Sequence, residues 1–170
     1  ISASAVFGAL SAALSASPLN FPFPILPYLR FEFAELPVVI AFLIYGPVPG
    51  VVSSFIYWIV LNIAGQFVPI GPILKLISVI SMVVGMWIGV TALKRILRSS
   101  AAVFTLAVLV GMVLRIVLMS LANYVVLWFL MPGFLQFAAQ SLSATLGYSF
   151  SSNFDALLAT MLFTGIFNAL

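Results

Sequence analysis

The chain has 170 residues, of which 65% are hydrophobic and only 5% charged. A water-soluble domain of this length needs a polar exterior, which six Lys and Arg with three Asp and Glu cannot provide; lipid is the solvent this composition fits. The net charge of +3 is read as a report of membrane orientation rather than of nucleic-acid affinity. With no Cys and no His, the chain has no thiolate, no sulfur-ligated metal and no imidazole base.

Spans of about 20 residues consume most of this length, leaving no room for a separate catalytic or nucleotide-binding domain. The expected fold is an all-α membrane protein, a six-transmembrane-helix bundle forming one domain over residues 1–170. Its spans are predicted near 1–16, 34–45, 51–68, 73–93, 99–131 and 154–170. The apolar pattern is under way at Ile1 and continues at Leu170, so both ends are read as trimmed and no signal peptide is assigned.

The first span is rich in Ala, Ser and Gly. It carries two small-residue stripes, Ala5, Ala9, Ala13 and Gly8, Ala12, Ala16, each on one helical face where another helix can approach closely. Such stripes suit packing within the chain as well as a partner surface. Pro18, Pro22, Pro24 and Pro27 then predict an extended, Phe-rich connection through Phe33. The second span, Ala34 to Tyr45, makes only about 18 Å of helix against a core of about 30 Å. It stops at Gly46-Pro47-Val48-Pro49-Gly50.

The third span is closed by Pro69-Ile70-Gly71-Pro72, and the fourth is followed by Lys94, Arg95 and Arg98. That basic cluster in a short loop places the loop, and by counting spans both termini, in the cytoplasm. The longer connections then gather on the outer side. The fifth apolar stretch would be about 50 Å long as one helix; it is expected to tilt, protrude or break near Ala122-Asn123-Tyr124. A polar connection with Gln136, Gln140, Ser141, Ser143 and Thr145 follows. Ser152-Asn153 offers an N-cap to the sixth span, with Asp155 in its first turn.

Polar residues within spans are costly and mark the first candidates for function. Asn123 and Asn168 can each donate and accept, which suits the edge of a heteroaromatic ring; the alternative is structural bonding between helices. Lys75 is a candidate ligand contact or a lysine snorkelling to the outer interface. Arg115, well inside the fifth span, needs a carboxylate, carbonyls or water, and a structural role is favoured. Arg30, Glu32 and Glu35 read as a surface ion-pair cluster beside a helix start. Neither a nucleophile–base pair nor a metal constellation is visible, so no enzymatic activity is assigned.

Several stretches resemble a known family. Leu19-Asn20-Phe21-Pro22-Phe23-Pro24, followed by Leu26-Pro27-Tyr28-Leu29-Arg30-Phe31-Glu32-Phe33-Ala34-Glu35-Leu36-Pro37, is similar to the riboflavin-specific S components (RibU family) of ECF-type vitamin transporters. The likeness continues at Leu43-Ile44-Tyr45-Gly46-Pro47, at Leu118-Met119-Ser120-Leu121-Ala122-Asn123-Tyr124 and at Ile166-Phe167-Asn168. It implies a six-helix subunit, with no ATPase and no cofactor of its own, that captures a flavin at the outer face. Asn123 and Asn168 would hold polar edges of the ring system, and Tyr28 and Leu29 would cover it. Ala5, Ala9, Ala13, Gly8 and Ala12 would meet a transmembrane coupling subunit that carries two cytosolic ATPases. ATP-driven tilting would then turn the vitamin toward the cytoplasm.

Two departures stand out: Ile166 replaces the family's Pro, and Ser53-Ser54-Phe55-Ile56-Tyr57-Trp58 replaces an acidic and Lys-Asn stretch. The family also tends to carry a Lys a few residues after the Phe-Asn pair, where this sequence stops at Leu170, and Lys75 is expected to make a ligand contact that helps offset these differences. Beside the flavin reading stand an S component for another vitamin and a membrane scaffold or channel-forming subunit without a vitamin ligand. An intramembrane enzyme comes last, because protonatable groups are so few.

Overall fold

The computed structural model describes residues 2–65 and 67–170; Ile1 and Gln66, which fall in the first and third expected spans, lie outside the described residues. Seven helices follow one another among the described residues: α1 (Ser2–Ala16), α2 (Leu36–Tyr45), α3 (Pro47–Ala64), α4 (Ile70–Leu93), α5 (Ser100–Val125), α6 (Pro132–Leu146) and α7 (Asn153–Ala169). Between α1 and α2 lie two short strands, β1 (Asn20–Pro22) and β2 (Arg30–Glu32), paired as a ribbon and followed by a 3₁₀ turn, Phe33–Glu35.

Gly46 separates α2 from α3 in a conformation (φ 92°, ψ −172°) that a side chain would strain. The helix restarts at once with Pro47, whose missing N–H costs nothing in a first turn. The third helix therefore begins four residues earlier than the Pro-Val-Pro segment suggests. By length and composition, Ile70–Leu93 and Ser100–Leu130 suffice to cross a bilayer alone, whereas Ser2–Ala16, Phe33–Tyr45 and Pro47–Ile63 are shorter apolar helices.

The helices pack as two units. In the first, Ile1–Asn20 with Glu32–Arg115, the core is formed by Val38 and Phe42 of α2 with Val79, Val83 and Met86 of α4. Small residues bring helix backbones together. A Cβ on Gly85 would lie 2.6 Å from the Gly111 Cα, so α4 and α5 cross at van der Waals distance. A Cβ on Gly8 would lie 2.7 Å from Ile56, which seats α1 directly on α3. Ser53 of α3 adds a hydrogen bond from its Oγ to the Ser4 carbonyl, 3.2 Å away.

The second unit is Phe21–Phe31 with Ile116–Leu170. Beyond Val125, α5 passes into a π-helical segment, Val126–Leu130, closed by Met131 N–H donating to the Val126 carbonyl at 2.7 Å. The irregularity thus falls just after Ala122-Asn123-Tyr124. Its cause is Pro132, which pushes Met131 out of helical geometry (φ −137°, ψ 63°).

The expected polar connection is in fact mostly the helix α6. Leu135, Ala138 and Leu142 form a buried stripe at helical spacing, while Gln136 and Gln140 point outward. Gly147, left-handed at φ 68°, ends α6 with its N–H on the Ser143 carbonyl. The cap on α7 is as expected: Asp155 N–H donates to the Ser152 side chain at 3.1 Å.

Candidate functional site

The Pro-rich connection is an ordered ribbon rather than simple extended chain. Phe23 N–H donates to the Leu29 carbonyl at 2.7 Å, and Leu29 N–H closes a turn on the Leu26 carbonyl at 2.9 Å. The turn places Leu26 at the centre of a cluster with Phe23 and Leu142, against which Tyr28, Leu29, Phe31, Phe150, Phe163 and others pack. Leu26 is fully buried, so this connection has a core of its own.

Aromatic rings dominate the contacts. Phe31 lies 4.7 Å from Phe167 by ring centroids, with an interplanar angle of 35°, and Phe23 touches both at 5.8 and 5.6 Å. Tyr28 meets Phe134 of α6 edge-on at 5.1 Å and Phe137 at 5.9 Å. Burial pushes the Tyr28 phenol above its ordinary value. Tyr28 and Leu29, the expected covering residues, therefore sit against the helices of this unit. Phe23, Phe31 and Phe167 were not singled out from the sequence. Their signal was present in the Phe-Pro-Phe-Pro run, in Arg30-Phe31-Glu32 and in the Phe preceding Asn168.

Asn168 is buried in the last turn of α7, directly after Phe167. Its Nδ2 donates to the Thr164 carbonyl at 2.7 Å. Thr164 in turn donates to the Thr160 carbonyl at 2.8 Å, and Thr160 to the Ala156 carbonyl at 2.7 Å. A buried polar stripe thus descends one face of α7 and ends at Asn168. Asn123 is half-buried on α5, with Nδ2 on the Met119 carbonyl at 2.9 Å. Its carbonyl oxygen and second N–H make no hydrogen bond among the described residues. Each asparagine thus makes a local bond to a carbonyl one turn earlier, which fixes its rotamer.

The charged residues assemble differently from the sequence expectation. Glu32 and Glu35 pair with residues distant in sequence. Lys75 Nζ lies 3.0 Å from Glu35 and 3.4 Å from Glu32. Arg115 holds Glu35 through both Nη atoms, at 2.6 and 3.3 Å. The Tyr57 hydroxyl donates to Glu32 at 3.4 Å. Two carboxylates thus meet two cations, which is how charge survives in an apolar bundle. Arg115 obtains the carboxylate it was expected to need. Lys75, the expected ligand contact, has its ammonium on protein carboxylates.

The first-helix stripes separate by environment. Ala5, Ala9 and Ala13 are exposed. Gly8 is buried against α3, and Ala12 is half-buried. The departing stretch in α3 serves packing as well: Ser54 Oγ donates to the Gly50 carbonyl at 3.0 Å, and Tyr57 is almost fully buried.

A family model of the ECF transporter substrate-specific component matches residues 1–170. The chain belongs to this family. It is 32% identical over 160 residues to the riboflavin transporter FmnP of Bacillus subtilis (strain 168), covering 88% of this chain and 80% of that protein. Among solved structures, that of the S component of a bacterial ECF transporter superposes with a TM-score of 0.67 at 17% identity. The alignment covers 98% of this chain and 86% of the other. That likeness shows the shared S-component fold. As an S component, the chain is the substrate-binding subunit of a membrane transporter, and the many large apolar side chains on its surface, such as Ile44, Ile63 and Val113, face a solvent of lipid.

Proposed function

We propose that this S component binds riboflavin, or a flavin closely related to it, for ATP-driven uptake. The observation that carries the reading is the identity to a riboflavin transporter over most of both chains. The chemistry of the second unit supports it. A flavin is a flat heteroaromatic ring system with alternating donors and acceptors along its edge. Phe23, Phe31 and Phe167 supply aromatic surface beside Asn168, and Asn123 offers an amide that donates and accepts. Tyr28 and Leu29 cover the ring, held by the aromatic packing on α6.

Energy comes from other chains in this reading: a transmembrane coupling subunit and two cytosolic ATPases. Ala5, Ala9 and Ala13 are exposed on α1, where small side chains let a partner helix approach. Lys94, Arg95 and Arg98 orient the protein in the cell membrane with their loop and both termini in the cytoplasm.

The absorption spectrum of the purified protein tests the ligand. A yellow preparation with bound flavin is expected; a colourless one that also fails to bind added riboflavin refutes the assignment. Co-purification with a coupling subunit and ATPases tests the partners, and their absence from a fully solubilised membrane extract counts against the transport complex.

A further inference from the structure

We infer that the end of α4 and the loop after it bind one anionic phospholipid, its acyl chain in a groove beside Trp87 and Ala92 and its phosphate on Arg95. The site lies on one helix and its loop, so it stands whichever leaflet that loop meets and whatever the transporter carries.

With 24 residues, α4 runs about 36 Å against a hydrocarbon core of about 30 Å, so its end reaches headgroup depth. Lys94 N–H donates there to the Val90 carbonyl at 3.1 Å, and Leu97 N–H to the Leu93 carbonyl at 2.9 Å. These bonds hold the start of the loop as a turn. Trp87, Ile88, Thr91, Ala92 and Arg95 recur at helical spacing and line an open groove of about 280 Å³. The Thr91 hydroxyl is spent on the Trp87 carbonyl at 2.8 Å, so the lining is mainly carbon up to the Arg95 guanidinium. Trp87 lies about 12 Å of helix below Arg95. That distance sets an apolar trough at acyl depth beneath a cation at headgroup depth.

The charge finds no counter-ion in its own unit. Lys94, Arg95 and Arg98 are exposed and make no ion pair among the described residues. The two carboxylates of that unit, Glu32 and Glu35, are already held by Lys75 and Arg115. Cations beyond a helix C-terminus suit the helix dipole and set orientation, but neither effect calls for an apolar trough leading up to one of them. An anionic phospholipid matches both parts. Its phosphate takes paired N–H bonds from the guanidinium, and its tail fills the groove. A zwitterionic lipid fills the groove equally but brings an ammonium back to the three cations, which favours the anionic one.

The chain has three tryptophans, so Trp58→Phe with Trp128→Phe leaves Trp87 as the reporter in the whole chain. The probes are phosphatidylglycerol and phosphatidylcholine brominated in the acyl chain, each in turn the quenching lipid of mixed vesicles. Quenching should show at least about a fivefold preference for phosphatidylglycerol, the weight of one cation at a membrane surface. Arg95→Gln should remove most of that preference, and Lys94→Gln or Arg98→Gln should cost less. Equal quenching by both lipids overturns the site, and so do equal losses in the three charge variants, which mark a diffuse surface field. Quenching by neither lipid overturns it as well, because protein then covers the groove. Millimolar inorganic phosphate should leave the preference unchanged; displacement by it overturns the lipid in favour of a free anion. Native mass spectrometry of the chain with all its tryptophans gives a second reading: one retained phosphatidylglycerol is expected, lost in Arg95→Gln. Retention unaltered by that substitution overturns the site.

Discussion

Arg115 of α5 grips Glu35, in the turn that precedes α2, through two hydrogen bonds of 2.6 and 3.3 Å across a sequence separation of 80 residues. With Lys75 on the same carboxylate, this contact ties the start of the short second helix to the two longest helices of the bundle. It explains how a ten-residue helix is held in place without spanning the hydrocarbon by itself.

Removing one member of this cluster leaves a charge without its counter-ion. Arg115→Met should destabilise the protein by about 1–3 kcal/mol, since the pair is part-buried and Glu35 keeps Lys75. Glu35→Gln combined with Arg115→Met keeps Glu32 opposite Lys75 and should recover part of the loss. Thermal unfolding in detergent checks the order: wild type, then the double variant, then the single one.

The two faces of α1 should respond differently to added volume. Gly8→Val forces side-chain atoms into Ile56 and the Ser53 carbonyl and should cost about 1–3 kcal/mol by overpacking. Ala9→Leu, on the exposed face, should leave unfolding temperature and flavin binding unchanged while weakening recovery of the coupling subunit. Comparison of melting curves with pull-down yields separates the two effects.

Much of this organisation was legible in the sequence. Prolines and Gly46 marked the ribbon and the ends of α2, because their backbone restrictions act wherever they occur. Ser152 announced the start of α7 in the same local way. Helix α6 was obscured because Leu135, Ala138 and Leu142 are interleaved with Gln and Ser, so a polar count outweighed a helical stripe. Ion pairing was obscured for a different reason. Arg30 is near Glu32 and Glu35 in sequence, but folding delivers Lys75 and Arg115 to those carboxylates, and only tertiary packing decides that choice. The aromatic triad likewise joins Phe23 and Phe31 to Phe167, almost a whole chain away.

The asparagines should matter for binding far more than for folding. Asn168→Leu and Asn123→Leu each remove hydrogen bonds to the ligand edge, worth about 1–2 kcal/mol, or roughly 5- to 30-fold in affinity. Asn123→Leu also removes a side-chain bond to a carbonyl one turn earlier, which is already satisfied within its helix, so its unfolding temperature should shift little. Isothermal titration alongside thermal unfolding provides the check; equal riboflavin affinity in both variants would exclude these residues from the site.

Tyr28 gives the protein an alkaline limit. Its phenol ionises above the ordinary value of 10.0 when folded, because burial disfavours the phenolate. A raised folded value means that its contribution is fully present below the unfolded value and is lost as pH rises through the folded one. Stability of the ligand-free protein should therefore be flat through neutral pH and decline above about pH 10. Tyr28→Phe should show a shallower alkaline decline in melting temperature, and an identical profile would contradict this origin.

The central claim is that this S component holds a flavin. Titration of riboflavin into ligand-stripped protein, followed by quenching of flavin fluorescence, tests it most directly. Saturation at one flavin per chain, weakened by Asn168→Leu, is the predicted result; a linear, non-saturating signal indistinguishable from empty nanodiscs would contradict it.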